Sequence, residues 1–248
     1  MRAIDRIYID GAFVTPHGEE RFDLFNPSTE EKTGTVRLAD AEDVRMAVAA
    51  AKRAFPAMRD TSPKERIEML HALRDAVAAR ADVLKEAMAL EYGAPQSFLA
   101  FSVPHAAHVF ETAARTVADH AFTRRIGNAE IIMEPVGVAA AITPWNSNIG
   151  FICTKLATAL AAGTSIVVKP SEMSAIQTQA VLEALHGAGL PRGVLNVVNG
   201  YGHVVGAALS ESPDIAKITF TGSTATGRTI LRAAADTFKR VTLELGGK

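Results

Sequence analysis

From Val136 to the end of the chain, short apolar runs alternate with longer helix-like ones. Val136 to Ile142 precedes about Ile149 to Ala162, Ser165 to Val168 precedes Ser174 to Gly187, and Val194 to Val198 precedes His203 to Leu209. Lys217 to Phe220 then precedes Ala225 to Ala235, and Arg240 to Leu245 closes the series. Strand-sized runs without a polar face belong to strands buried on both sides, and strands joined through helices pair in parallel. The pattern predicts an α/β fold, a Rossmann-like parallel sheet with helices on both faces. In open sheets of this kind a ligand sits outside the carboxyl ends of the strands. The residues that follow each strand therefore carry the functional expectations.

The first half reads differently. Ile7-Tyr8-Ile9 and Ala12-Phe13-Val14 flank Asp10-Gly11, a pair suited to a tight turn with two positive φ angles, and predict a β-hairpin. Asp40, three residues before Asp43, opens a helix with Val44, Val48 and Ala51 on one face. Ser62-Pro63-Lys64-Glu65 combines an N-cap, a Pro at the first helical position and a capping-box Glu ahead of Ile67, Leu70, Leu73 and Val77. A third helix, about Ala81 to Tyr92, should stop at Gly93 and Pro95, and a fourth should cover roughly Phe98 to Phe122. The expected units are residues 1–123, a hairpin and helices; 124–135, with Gly127-Asn128 as its turn; and 136–248, the parallel core.

Charge excludes several partners. With 26 Lys+Arg against 27 Asp+Glu, nothing favours a nucleic-acid backbone or an anionic membrane. The most apolar stretch, Val136 to Ile142, is far short of the ~20 residues that span a bilayer. The opening Met1-Arg2-Ala3-Ile4-Asp5 lacks the apolar run of a secretion signal and the chain has 1 Cys, so a cytoplasmic setting without an internal disulfide is expected. A Tyr acid with Lys four residues on is absent, since Tyr8, Tyr92 and Tyr201 are followed there by Ala12, Gln96 and Val205. The histidines offer no helical pair with an intervening Glu; His105 and His108 share a helix face without further ligands.

Four strand ends remain. Thr143-Pro144-Trp145-Asn146 offers in Asn146 two neutral amide donors for an oxygen gaining negative charge, or simply an N-cap for the next helix. In Lys169-Pro170-Ser171-Glu172 the ammonium and carboxylate could hold ribose hydroxyls or form a solvated ion pair. Thr221-Gly222-Ser223-Thr224-Ala225-Thr226-Gly227 could set bare backbone and the amides of a helix start against a pyrophosphate, or be a capped helix start and nothing more. Glu244, beside Leu243 and Leu245, is either a partly desolvated general base or an outward-facing carboxylate.

Taken in order, Pro144-Trp145-Asn146, Lys169-Pro170-Ser171-Glu172, Phe220-Thr221-Gly222-Ser223-Thr224 and Leu243-Glu244-Leu245-Gly246-Gly247-Lys248 resemble the aldehyde dehydrogenase family. The resemblance extends through Phe25-Asn26-Pro27, Ala54-Phe55, Glu91 to Gly93 and Pro135-Val136-Gly137-Val138, covering almost the whole chain. It implies that the parent enzyme oxidises an aldehyde to a carboxylic acid with a nicotinamide dinucleotide. Asn146 would bind the oxyanion of the aldehyde adduct, and Glu244 would activate the deacylating water. Ile142, Thr143, Pro144, Trp145, Lys169, Ser171, Glu172, Gly222, Ser223, Gly227 and Leu245 would line the cofactor site. Glu172 on a free ribose diol favours NAD; Lys169 leaves NADP possible.

The family's nucleophile is a Cys thiolate downstream of the Glu-Leu-Gly-Gly-Lys motif, so the resemblance implies a truncated chain that binds cofactor and is inactive alone. Cys153, in the apolar run Phe151 to Ala157, matches no catalytic position and reads as a small core residue. Arg124 to Glu134 resembles the family's projecting oligomerisation hairpin, which implies a homo-oligomeric parent and, without a partner strand, an exposed sheet edge.

Overall fold

The computed structural model describes residues 2–247. Local signals decide most of the N-terminal half. A short strand β1 (Arg2–Ile4) precedes the hairpin of β2 (Ile7–Ile9) and β3 (Ala12–Val14), whose turn holds Asp10 at φ 54 and Gly11 at φ 77, as the Asp-Gly pair requires. Strands β4 (Arg21–Phe25) and β5 (Lys32–Arg37) follow. Helix α1 (Ala41–Arg59) starts at a capping box: the Asp40 side chain accepts from the Glu42 and Asp43 N–H groups, and Asp43 accepts from the Asp40 N–H. Helix α2 (Pro63–Ala79) starts at the reciprocal box of Ser62 and Glu65. Helix α3 (Ala81–Tyr92) ends at Gly93 with φ 69, and α4 (Gln96–Asp119) leads into the exposed hairpin of β6 (Thr123–Ile126) and β7 (Ala129–Ile132).

The core then alternates as its apolar runs predict. It comprises β8 (Val138–Ile142), α5 (Asn148–Ala161), β9 (Ile166–Lys169), α6 (Ala175–His186), β10 (Leu195–Val197), α7 (Ala207–Glu211), β11 (Ile215–Gly222), α8 (Thr224–Ala235) and β12 (Arg240–Leu245). The main sheet runs β12-β11-β8-β9-β10-β2-β3, with the first five strands parallel and the N-terminal hairpin added antiparallel to β10. This order is that of a doubly wound sheet, and it reverses direction between β8 and β11. The hairpin of β2 and β3 is thus part of the same sheet as residues 136–248.

Burial separates the two faces by strict alternation. Ala139, Ala141, Ile166, Val168, Leu195 and Val197 pack with α2 to α6, whereas Val138, Ala140, Ile142, Val167, Ile218 and Phe220 pack with α1, α7 and α8. A second sheet, β1-β5-β4, escaped the sequence reading. Each of its strands buries little: Ile4, Leu24 and the pair Gly34 and Val36 are its buried positions. One apolar anchor per strand is too little signal to separate a strand from a loop. No helix among the described residues is long and apolar enough to cross a membrane, and no group of three His, Cys, Asp or Glu residues is placed to hold a metal ion.

Strand β8 is a run of alanines because helices press it from both sides. Ala140 and Ala141 are fully buried on opposite faces, and α1 brings Ala47, Ala50 and Ala51 against the Ala140 side. Ala140→Leu should therefore overpack that side and lower stability by about 1–3 kcal/mol in a urea titration; an unchanged midpoint would show that α1 yields freely.

Candidate functional site

The register aligns the four strand ends. Leu243 pairs with Phe220, Phe220 with Ile142, and Ile142 with Lys169, so one row crosses β12, β11, β8 and β9 close to their carboxyl ends. Alternation turns Ile142, Lys169 and Phe220 toward the side of α1, α7 and α8, while Thr143, Thr221 and Glu244, one residue on, belong to the α5 side. The expected residues are thus gathered along one edge but divided between two faces.

On the first face a cleft of about 400 Å³ opens at the point where the strand order reverses. Its floor is Ile142; its walls are Gly202, His203, Gly206 and Ser210 on one side and Ala225, Thr226 and Thr229 of α8 on the other. A side chain at Gly202 would meet nothing within 4 Å, so bare backbone faces open space there. Ser223 caps α8 by accepting from the Thr226 N–H, while the Thr224 and Ala225 N–H groups take no partner among the described residues. Unpaired amides at the positive end of a twelve-residue helix suit an anionic group such as a pyrophosphate.

Gly222 and Gly227 serve packing. A Cβ on Gly222 would fall 2.5 Å from the Phe220 ring, and one on Gly227 would fall 2.7 Å from Leu245 Cδ2. Gly227 thereby seats α8 on β12, and the Gly246 N–H donates to the Gly222 carbonyl, tying the two last turns together.

Lys169 is almost fully buried at the end of β9, and its Nζ lies 3.1 Å from Glu172 Oε2. Burial pushes the ammonium down from its ordinary value, opposed by the charge and hydrogen bond of Glu172. The pair is not the solvated surface contact that residue types alone allowed. Ser171 Oγ accepts from the Met173 N–H and caps the single turn from Glu172 to Ser174. The charge of Glu172, after burial and Glu20, raises the Tyr201 phenol, and Tyr201 stacks on His203 at the cleft wall. The Lys169 turn and the cleft are therefore neighbours.

On the second face, Asn146 is half-buried with its Oδ1 inaccessible and unpartnered among the described residues. It caps nothing: α5 begins at Asn148 after Ser147, without a side-chain cap. Its neighbour Asn148 does the structural work that sequence reasoning missed. Thr143 Oγ1 donates to Asn148 Oδ1 at 2.8 Å, and Asn148 Nδ2 donates to Thr178 Oγ1 at 2.7 Å, all three residues buried. The Thr143 hydroxyl is thus used inside the protein, and a fully buried Asn in an apolar helix was the signal for it. Pro144 is half-buried, and Trp145, half-exposed, meets the Tyr92 ring edge-on at 5.7 Å.

Glu244 pairs in register with Thr221, two strands and roughly 10 Å across the sheet from β8. Its expected desolvation is not found. Glu244 is exposed because β12 is the outermost strand: Val241 and Leu243 pack against the α8 side, and the opposite side carries Thr242 and Glu244 without cover among the described residues. Its charge reaches Lys155 of α5, whose ammonium is lowered by burial and raised by Glu244. Leu245 is exposed beside Gly227, and Lys248 lies outside the described residues.

Cys153 is fully buried in α5 and burial pushes its thiol up to about 12. At pH 8 on the order of one thiol in ten thousand would be ionised. Iodoacetamide should leave Cys153 unmodified in the folded chain and alkylate it readily in denaturant; rapid modification of the folded form would show an accessible thiolate.

Comparison with known proteins agrees with this fold. The model of the aldehyde dehydrogenase family matches residues 13–248. A 3-succinoylsemialdehyde-pyridine dehydrogenase from a Pseudomonas species is 40% identical over 250 residues, covering 100% of this chain and 52% of that protein. A variant of aldehyde dehydrogenase C from Pseudomonas syringae, solved with NAD+ and octanal, superimposes with a TM-score of 0.96 at 42% identity, covering 98% of this chain and 50% of that one. An NADP-dependent enzyme from E. coli superimposes with a TM-score of 0.92 at 35% identity, covering 98% of this chain and 52% of that one. The chain spans about half the length of the curated relatives it matches. By sequence and by fold, it belongs to the aldehyde dehydrogenase family.

Proposed function

We propose that this chain is the cofactor-binding part of an NAD(P)-dependent enzyme that oxidises an aldehyde to a carboxylic acid. The observation that carries the reading is the cleft at the strand-order reversal, with free helix amides on one wall and the buried Lys169–Glu172 pair one strand away. These groups fit a dinucleotide. Amide donors and bare backbone at Gly202 suit the pyrophosphate, and a buried ammonium hydrogen-bonded to a carboxylate offers both a donor and an acceptor to a ribose diol.

The bound nicotinamide dinucleotide supplies the two-electron acceptor. Binding, orientation and proton handling fall to the chain's own residues; the thiolate nucleophile that the family implies is not among them, since Cys153 is buried with its thiol pushed up. Ile142, Lys169, Ser171, Glu172, Gly222 and Ser223 hold the cofactor from the α7 and α8 side. The Asn146 amide, on the α5 side, donates to the oxygen of the aldehyde adduct as that oxygen gains charge. Glu244 accepts a proton from the water that releases the acid. Exposed Ile126, Ile132 and Met133 on and beside the β6–β7 hairpin support a homo-oligomeric parent.

A second reading, a dinucleotide-binding module without turnover, is favoured for these residues in isolation by the burial of Cys153, since thiolate attack on an aldehyde needs an ionised, accessible sulfur. Calorimetric titration of the 248-residue chain with NAD should show binding, and addition of an aldehyde should produce no reduced nicotinamide. Sustained turnover would refute the second reading; absence of any binding would refute both. Lys169→Ala should weaken NAD at least about tenfold, the worth of a hydrogen bond to a charged group. Glu172→Gln should bring the NAD and NADP affinities closer, because the carboxylate that repels an added phosphate is gone; an unchanged ratio would remove Glu172 from the ribose.

A further inference from the structure

Helix α6 begins in an unusual way. Ser171 caps the short turn ahead of it, and Ser174 makes no side-chain cap to the helix itself. Its first amides are received from 85 residues upstream: the Ile176 N–H donates to Glu91 Oε1 at 2.7 Å, and the Gln177 N–H to Glu91 Oε2 at 2.8 Å. Glu91 is 8% exposed, and burial raises its carboxyl to about 7 even with both donors in place. A helix that only needed a start would take a local Ser or Asp, at far smaller desolvation cost. A carboxylate brought in from α3 does something a local cap does not, which is to tie two separate elements together.

The element it ties carries the Lys169 turn. Only five residues, Pro170 and the turn from Ser171 to Ser174, separate Lys169 from Ala175, the first residue of α6, so the position of α6's N-terminus fixes where Glu172 stands. The next residue of α3, Tyr92, meets Trp145 edge-on at 5.7 Å and Phe98 at 6.0 Å. Adjacent residues of one helical turn therefore reach both strand-end loops of the site.

We propose that the last turn of α3 is a brace for the site, in which Glu91 positions the Lys169–Glu172 turn and Tyr92 positions the Trp145–Asn146 loop. The proposal rests on the dinucleotide reading above and adds two positioning residues to it. Neither touches the cleft; each acts through the loop it holds.

The test uses the full chain at pH 8, titrated calorimetrically with 5′-AMP and with NAD. Trp145, the single Trp, reports its own loop by fluorescence. Glu91→Gln keeps the side-chain shape and loses one acceptor oxygen. It should weaken AMP roughly tenfold, speed hydrogen exchange at the Ile176 and Gln177 amides, and leave the Trp145 emission unchanged. Tyr92→Leu should give the opposite pattern, a shifted Trp145 emission with AMP affinity held within about twofold. Glu91→Asp, which keeps the charge but is one methylene too short, should behave as Glu91→Gln and serves if the amide variant does not fold. Wild-type chain that binds AMP while both Glu91 variants bind it equally well would overturn the brace alone. Variants that lose AMP affinity and Trp145 emission together would also overturn it, in favour of a general structural role. Wild-type chain that binds no AMP would overturn the dinucleotide reading, and the brace with it.

Discussion

The architecture depends on one strand that must be buried on both faces. Strand β8 lies between β9 and β11, where the strand order reverses, and has helices pressed on either side. Only small side chains let two helical layers approach so closely, hence Ala139, Ala140 and Ala141. The reversal sends the helices after β8 and β11 to opposite faces, which leaves the end of β8 uncovered between α7 and α8, and that gap is the cleft. Packing at the centre and the opening at the edge are two results of the same topology.

The row through Leu243, Phe220, Ile142 and Lys169 explains how one edge serves two tasks. A residue's position in that row sends its side chain to one face, and the next residue's to the other. Ile142 thereby floors the cleft and Lys169 turns to the same side one strand away, while Thr143, Asn146 and Glu244 are left to the α5 side. A dinucleotide held on the first face and reacting on the second would have to pass over the ends of β8 and β11. Glu244 stands open on that second side, ready for whatever approaches β12 from the α5 direction.

Buried polar groups concentrate where elements must be held in fixed relation. Thr143, Asn148 and Thr178 link the end of β8, the start of α5 and the first turn of α6 through two short hydrogen bonds. Lys169 and Glu172 stiffen the turn after β9, and Glu91 reaches α6 from α3. Each of these groups costs desolvation and is satisfied only when its partners arrive together. Such networks specify one arrangement of loops in a way that apolar packing, which tolerates sliding, does not.

Local chemistry made much of this legible beforehand. Asp10-Gly11, the boxes of Asp40 with Asp43 and of Ser62 with Glu65, and the stop at Gly93 act within four residues, so each could be read and each stands in the structure. The alternation after Val136 likewise determined a parallel, doubly covered sheet, because no other pairing buries strands apolar on both faces. The sheet of β1, β4 and β5 was not legible, since so few apolar anchors per strand carry no period. Nor were the burial of Lys169, the exposure of Glu244 and the reach of Glu91 to Ile176 and Gln177. Those depend on which element lies opposite, and a contact across 85 residues has no local energetic signature; only the closed sheet and its packed helices decide it.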